Sequence, residues 1–525
     1  MASSKIFRYL LVLNLVAGLC LGKSVAQGSD GPQGQGRSPS TVKHVLPALH
    51  PLDDEYLEWP LAPADKAYGA IDGRHLKQYV AEIVAISERY RDQGHQFWGR
   101  ITGTSSDVET QQWVLNKFKQ AGLSDIRSQP FDLPPQWIPQ SWEITAVGNG
   151  KTLHFPSAEP PLHSPGTSKD GLDLEAVWIG TGNEADYHGM DVHGKAVFIY
   201  STSYNHSNFS AATEGTALLA EKKGAAAIFI IFAVPGNVGA NLYHLYPRGA
   251  HVPTFSIGLT DGLAMRDLIG ESSAGQPPHV KVRMDVELVP NLKTAIIWGT
   301  LPGKTDEKIY VIAHRDAVFD GAVDNASGMA AMIGLAEYFA KIPKEQRRRT
   351  IVFVATTGHH NYCSDQQVSC SIGVQWMVNH REELFKNTAL IINSEHVATT
   401  QTSLYDPQVR PTTATGEADF WYTNGSSRLT QIAFNSYREF GLPIYTQADS
   451  SAPGEGGPLS RFSDVPMLQL VNLGLYSHTD QETLDDMPWT ALEAATRSFA
   501  KIINDVNTLE IRDLLPTTTA EVAPR

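Results

Sequence analysis

Unbroken apolar runs alternating with amphipathic stretches set the character of the C-terminal part of the chain. The runs 309–313 (IYVIA), 351–355 (IVFVA), 389–393 (ALIIN) and 467–471 (MLQLV) have the length and β-rich make-up of strands buried on both faces. After the first of them, Met329, Met332, Ile333, Ala336 and Ala340 fall on one helical face, so a helix is expected there. Another is expected over 489–506. Strands alternating with helices predict an α/β fold, a sheet sandwiched by helices. Nearer the N-terminus, Leu76, Val80, Ile83, Val84 and Ile86 predict a helix over 75–91. A second is expected over 107–121, capped by Ser105, Ser106 or Asp107 and stopped at Gly122. The run 126–131 reads as a strand that Pro130 confines to a sheet edge.

Between 172 and 289 the texture changes to short β runs with glycine turns, such as 176–180, 195–200 and 227–231, interrupted by one helix-like stretch at 211–224. The run Ala217-Leu218-Leu219-Ala220, the following Lys222-Lys223-Gly224-Ala225-Ala226, and 253–257 followed by Asp261-Gly262 resemble a protease-associated domain. That resemblance implies a β-rich insert that covers or shapes an active site without doing chemistry. The expected organisation is a signal peptide over 1–26, a linker over 27–45, an N-terminal part of the main domain over 46–150, the insert over 151–290, the rest of the main domain over 291–507 and a tail over 508–525.

A chain of 525 residues with 42% apolar and 19% charged content reads as a multi-domain globular protein. The formal charge of −14 argues against nucleic acid as a partner, which requires a basic face. The single basic cluster, 344–349, reads as a solvated turn. At the N-terminus Lys5 and Arg8 precede a short apolar core and the small residues Ser24-Val25-Ala26, the pattern of an export signal. No later segment is apolar for long enough to span a membrane. A secreted or periplasmic product is expected. Cys363 and Cys370 are near enough in sequence to pair in an oxidising exterior, and two independent thiols are the alternative.

Each of the four buried runs terminates near residues able to bind a metal: His314, the pair His359-His360, the pair Glu395-His396, and Ser477-His478-Thr479-Asp480. One histidine at a strand end is usually structural. Four strand ends sharing one rim are different, because in open α/β sheets the functional crevice lies beyond the carboxyl ends of the strands. His314-x-Asp316, Asp324-Asn325-x-Ser327-Gly328, the Thr-Thr-Gly strand end, the acid at Glu395 and the final Ser-His-Thr-Asp together resemble the family-28 metallopeptidases, which include secreted zinc aminopeptidases and plasma glutamate carboxypeptidase. The resemblance implies a zinc-exopeptidase-like mixed sheet and up to two zinc ions. It implies His314 and Glu395 on one ion, His360 and His478 on the other, Asp324 bridging both, and Asp316 accepting a hydrogen bond from the His314 ring. It also implies a cis peptide after Asp324.

This chain departs from that family at Gly358-His359-His360, where the family carries Gly-Glu-Glu. The first glutamate there takes a proton from metal-activated water and the second is a ligand. His360 can still ligate zinc, and His359 can still accept a proton. The anionic ligands remaining are Asp324 and Glu395, too few to neutralise two dications, so a second ion should bind weakly. His380 and His396 read as ordinary helix or core histidines. Two functions follow from these residues: a secreted metal-dependent hydrolase of a peptide or small amide substrate, with His359 and Asp316 as its catalytic residues, or a metal-dependent binding protein on a peptidase fold that has lost its base.

Overall fold

The computed structural model describes residues 56–516 apart from 204–209, 242–250, 273–274, 361–370, 401, 406–407, 412–415, 447–450 and 473. The expected signal peptide and linker, the last nine residues of the expected tail, and the Cys363–Cys370 pair with its loop lie outside the described residues; the described start of the tail carries a short helix, Ile511–Leu514.

The apolar runs form the centre of an eight-stranded sheet. Its strands are β1 (Ser124–Asp132), β2 (Lys293–Leu301), β3 (Lys308–His314), β4 (Thr350–Thr356), β5 (Thr388–Ser394), β6 (Asp419–Thr423), β7 (Ile444–Tyr445) and β8 (Met467–Val471). They lie in the order β7-β6-β8-β5-β3-β4-β2-β1. The four central strands β4, β3, β5 and β8 are parallel, so their C-terminal ends share one rim. The pairs β2 with β4, β1 with β2, and β6 with β8 are antiparallel, which makes the sheet mixed. Strand β1 sits at one edge, as Pro130 requires, since it cannot donate to a further ladder.

Helices α1 (Gly73–Asp92), α2 (Ser105–Gln120), α3 (Gly328–Ala340) and α4 (Trp489–Val506) pack with the sheet around one apolar core that includes Val80, Ile83, Phe118, Val311, Met332, Phe353, Leu492 and Phe499. Asp72 caps α1, its side chain accepting from the backbone N–H groups of Arg74 and His75. Asp107 does not cap α2, contrary to expectation. Its carboxylate is buried and accepts from Gly103 N at 2.9 Å, Thr294 Oγ1 at 2.6 Å and Arg315 Nη2 at 2.6 Å. The physical reason is charge pairing: Arg315 is also buried, and an unpaired buried guanidinium costs more than an uncapped helix end.

A second, seven-stranded sheet runs Lys151–His154, Gln136–Gly148, His279–Val289, Leu172–Trp178, Ala196–Thr202, Ala227–Ala233, Thr254–Gly258 in spatial order. Its last four strands are mutually parallel and meet the rest antiparallel. The helix expected within 211–224 is Glu214–Lys222. This sheet takes in residues from 136, earlier than the boundary at 151 read from composition, because Gln136–Gly148 pairs along most of its length with His279–Val289. Both sheets belong to one compact unit.

Several acids away from the strand-end rim are buried deeply enough to hold their protons. Burial pushes Asp320 up to about 7, Glu417 up to about 8 and Glu493 up to about 7. A carboxyl raised on folding contributes stability that is complete below its unfolded pKa and is lost as pH rises through the folded value. Metal-free protein is therefore expected to melt at a lower temperature at pH 8 than at pH 5, a difference that thermal unfolding at the two pH values measures.

Candidate metal centre

The rim of the parallel strands carries the site, and a buried arginine builds its first loop. Arg100 donates from Nε to Arg315 O at 2.8 Å, from Nη1 to Asp320 O at 2.6 Å and from Nη2 to Gly321 O at 3.0 Å, satisfying the carbonyls of the loop after β3. That loop delivers Asp324, whose peptide bond to Asn325 is cis, as in the expected pattern. Asn325 then ties two strand ends together. Its Nδ2 donates to His314 O at 3.2 Å and Ser394 O at 3.1 Å, and its Oδ1 accepts from His396 N at 3.0 Å and Gly328 N at 3.2 Å. Glu482 holds the loop from the other side, with Oε1 accepting from Val323 N at 3.0 Å and Asp324 N at 2.5 Å, and Oε2 from His478 N at 2.8 Å.

Asp324 is the hub. Its Oδ1 lies 3.3 Å from His314 Nε2, 3.1 Å from His360 Nε2 and 2.8 Å from His396 Nε2, and its Oδ2 lies 2.6 Å from His478 Nε2. All five residues are buried. His359 adds a fifth imidazole, its ring centroid 4.5 Å from that of His314 and 4.9 Å from that of His360. Among the described residues, ligand atoms close enough to share an ion come from His314, Asp324 and His396, from Asp324, His360 and His478, and from His314, His359 and His360.

The structure thus brings together His314, Asp324, His360 and His478 of the five expected ligands. Glu395 sits one step out, its Oε1 3.7 Å from His359 Nε2, while its Oε2 accepts from Asn393 Nδ2 at 2.7 Å and Gln469 Nε2 at 3.1 Å. His396, read from sequence as a core histidine, reaches Asp324 instead. Strand alternation ends at Ser394, and His396 takes a left-handed backbone (φ 52°) that changes which neighbour faces the hub. Its Nδ1 lies 3.0 Å from Asn472 O. The Asp316 carboxylate does not accept from the His314 ring as expected, its Oδ1 lying 4.0 Å from His314 Nδ1. The His314 Nδ1 contact is to the Asp316 backbone carbonyl at 3.1 Å, and the Asp316 carboxylate accepts from His360 N at 2.7 Å. His380 stacks on Trp376 at its helix end, away from the hub.

The Gly-rich stretch 451–462 closes over Glu395. A Cβ on Gly454 would fall 1.9 Å from Glu395 Oε1, so only glycine fits there. The next residue, Glu455, is buried and accepts from Thr356 Oγ1 at 2.5 Å and from Ser371 Oγ. The second sheet also reaches the site. Gly239 O accepts from Asp480 N at 2.9 Å and His478 O from Asn241 N at 2.9 Å, so a loop of that sheet is bonded to the segment carrying His478.

Electrostatics separate these groups. Burial pushes the Asp324 carboxyl up, but His360 and His396 more than reverse this and hold it well below the usual carboxylate range. Burial, reinforced by neighbouring rings, holds His314 and His359 well below the ordinary imidazole value. His396 goes the other way: burial lowers it, and the Asp324 charge raises it to about 9. Glu395 is raised to about 7, mainly by burial.

The donor set fits zinc. His314 Nε2 and His396 Nε2 are buried without a hydrogen-bond partner although each faces a carboxylate oxygen, an arrangement a shared cation would relieve. Imidazole nitrogens with one carboxylate favour zinc over oxygen-preferring cations.

Residues 297–503 match the Peptidase family M28 model. Over these residues the chain is similar to peptidase family M28. The chain is 27% identical over 293 residues to a probable leucine aminopeptidase 2 of Trichophyton verrucosum, an overlap covering 54% of each chain. It is 22% identical over 343 residues to an aminopeptidase of Bacillus subtilis, covering 64% of this chain and 66% of that one. The chain spans about half the length of the fungal relative. Among solved structures, a peptidase M28 precursor from Shewanella amazonensis superposes with a TM-score of 0.64 at 16% identity, covering 88% of this chain and 99% of the other. A zinc aminopeptidase from Bacillus subtilis does so with a TM-score of 0.58 at 18% identity, covering 85% and 98%. The two superpositions establish the zinc-exopeptidase fold.

Proposed function

We propose that this protein is an exported zinc-dependent hydrolase that cleaves a peptide or related small amide bond. One observation carries the reading: four imidazole nitrogens lie 2.6–3.3 Å from the two oxygens of Asp324 on the rim of the parallel strands. His314, Asp324, His360 and His478, with His396, would hold the metal. Zinc bound there supplies a Lewis acid that polarises a carbonyl and acidifies water. The Arg100, Asn325 and Glu482 contacts fix the loop that presents Asp324, so the ligand set is organised before substrate arrives. His359, partly exposed beside the hub and held neutral by burial, takes up a proton on its ring and returns it to the leaving amine. The second sheet, bonded to the His478 segment, is the counterpart of a protease-associated domain and shapes one wall of the site.

The names of the relatives support an N-terminal aminoacyl substrate. A second reading, a metal-dependent binding protein, is favoured by the imidazole at position 359 where the family carries a carboxylate base.

The test is hydrolysis of a panel of aminoacyl and amide substrates before and after chelation. Turnover that falls at least about 100-fold on chelation and returns with zinc is expected, since the metal stabilises charge in the transition state by several kcal/mol. Turnover indifferent to chelation refutes the hydrolase reading, and zinc binding with no turnover across the panel favours the binding protein.

A further inference from the structure

Glu395 and His396 are adjacent, and only one of them faces Asp324. The position of His396 matches that of His314 in the partners of its two ring nitrogens. In both rings Nδ1 lies against a backbone carbonyl, Asp316 O at 3.1 Å for His314 and Asn472 O at 3.0 Å for His396. A carbonyl only accepts, so it draws the proton to Nδ1 and leaves the lone pair on Nε2, the arrangement metal-bound imidazoles need. Both Nε2 atoms are buried, without a hydrogen-bond partner, and face the same Asp324 oxygen. A bare lone pair 2.8 Å from a carboxylate oxygen is repulsive, so this position calls for a cation between the two atoms, and zinc would take the place that a ring proton fills in its absence.

Glu395 is built for something else. Asn393 and Gln469 donate to its Oε2, and Gly454 leaves no room for a side chain against its Oε1. That clamped carboxylate points Oε1 at His359 Nε2, 3.7 Å away. The acid therefore stands behind the imidazole that replaces the family's base.

We infer that the roles of the adjacent pair are exchanged relative to the expected ligand set: His396 is the ligand that partners His314, and Glu395 is a positioning residue that orients His359. This rests on the hydrolase reading above for the role of Glu395 and on metal binding alone for the role of His396. Glu395 favours the proton on His359 Nε2 and leaves the lone pair on Nδ1. As the oxygen of the attacking water bonds to the substrate carbonyl carbon, its proton moves to His359 Nδ1. The same proton passes to the amine nitrogen as the carbon–nitrogen bond breaks, which returns the imidazole to its starting state.

The experiment uses the full-length protein and three variants, His396→Asn, His396→Asp and Glu395→Gln, with zinc content measured against a competing chelator and the visible spectrum recorded after cobalt substitution. His396→Asn is expected to weaken zinc at least about 100-fold and change the cobalt spectrum, the upper end of what even outer partners of a metal cost. His396→Asp, which restores a donor oxygen, is expected to recover most of the affinity, which separates ligand loss from misfolding. Glu395→Gln is expected to keep zinc and the cobalt spectrum while lowering kcat about 10- to 100-fold at unchanged KM, a share of the usual effect of a positioned base. Loss of zinc in Glu395→Gln with retention in His396→Asn overturns the exchange and leaves the hydrolase reading intact. Failure of the unmodified protein to bind zinc overturns both.

Discussion

Asp324→Asn is expected to lose metal and turnover together, with zinc affinity down about 100- to 10,000-fold and no measurable hydrolysis. Among the described residues Asp324 is the one carboxylate that touches four imidazoles, with Oδ1 facing His314, His360 and His396 and Oδ2 facing His478. Asparagine keeps the shape and removes the charge that both three-residue groups built on Asp324 rely on. Removing one partner of a buried charge network leaves the others uncompensated, which in proteins costs about 3–5 kcal/mol. At about 1.4 kcal/mol per tenfold, that range corresponds to two to four decades of affinity. Zinc content and turnover of the purified variant check it. An Asp324→Asn protein that keeps stoichiometric zinc would show that the metal is held elsewhere and that Asp324 is not its ligand.

Replacing His359 should separate binding from chemistry. His359→Ala is expected to retain zinc and lose about 10²- to 10⁴-fold in kcat, the range ordinarily attributed to a positioned proton acceptor. His359 is the imidazole of the cluster that stays partly exposed and makes no short contact to Asp324. His359→Glu should restore the proton acceptor in carboxylate form and with it much of the lost turnover. Parallel zinc analysis and steady-state kinetics on the same preparations decide it. If His359→Ala loses zinc as readily as His360→Ala, His359 is a ligand in the group it forms with His314 and His360, and the base lies elsewhere. If only His359→Glu turns over, the unmodified protein is a binder.

Much of this architecture was legible because it depends on long apolar runs. Strand β8 and helix α4 have the bounds that their hydrophobic patterns predict, and β3, β4 and β5 extend the expected runs by one residue at each end. Such strands are buried on both faces, so composition alone identifies them. Their parallel order then follows from the alternation with helices, and it is what brings His314, His360 and His478 to one rim.

What sequence missed depends on single backbone angles and on partners far along the chain. His396 reads as a core residue because a histidine after a strand ordinarily is one, and nothing in the string 389–396 announces the left-handed turn that aims it at Asp324. Arg100 and Glu482 build the Asp324 loop from more than a hundred residues away on either side. Asp107 is one of three candidate helix caps by its local context, whereas its partner in the fold is Arg315. A weak signal did exist for the glycine-rich stretch: three glycines flanking an acid, Gly454-Glu455-Gly456-Gly457, mark a backbone that must approach something closely, here Glu395 and Gln469.

Anomalous diffraction recorded at the zinc edge from crystals of the protein grown with zinc tests the central claim most directly. The predicted result is a peak within bonding distance, about 2.0–2.2 Å, of Asp324 and of the Nε2 atoms of His314 and His396, with a second, weaker peak toward His360 and His478 if the other position fills. A map with no anomalous peak near Asp324 would contradict the account.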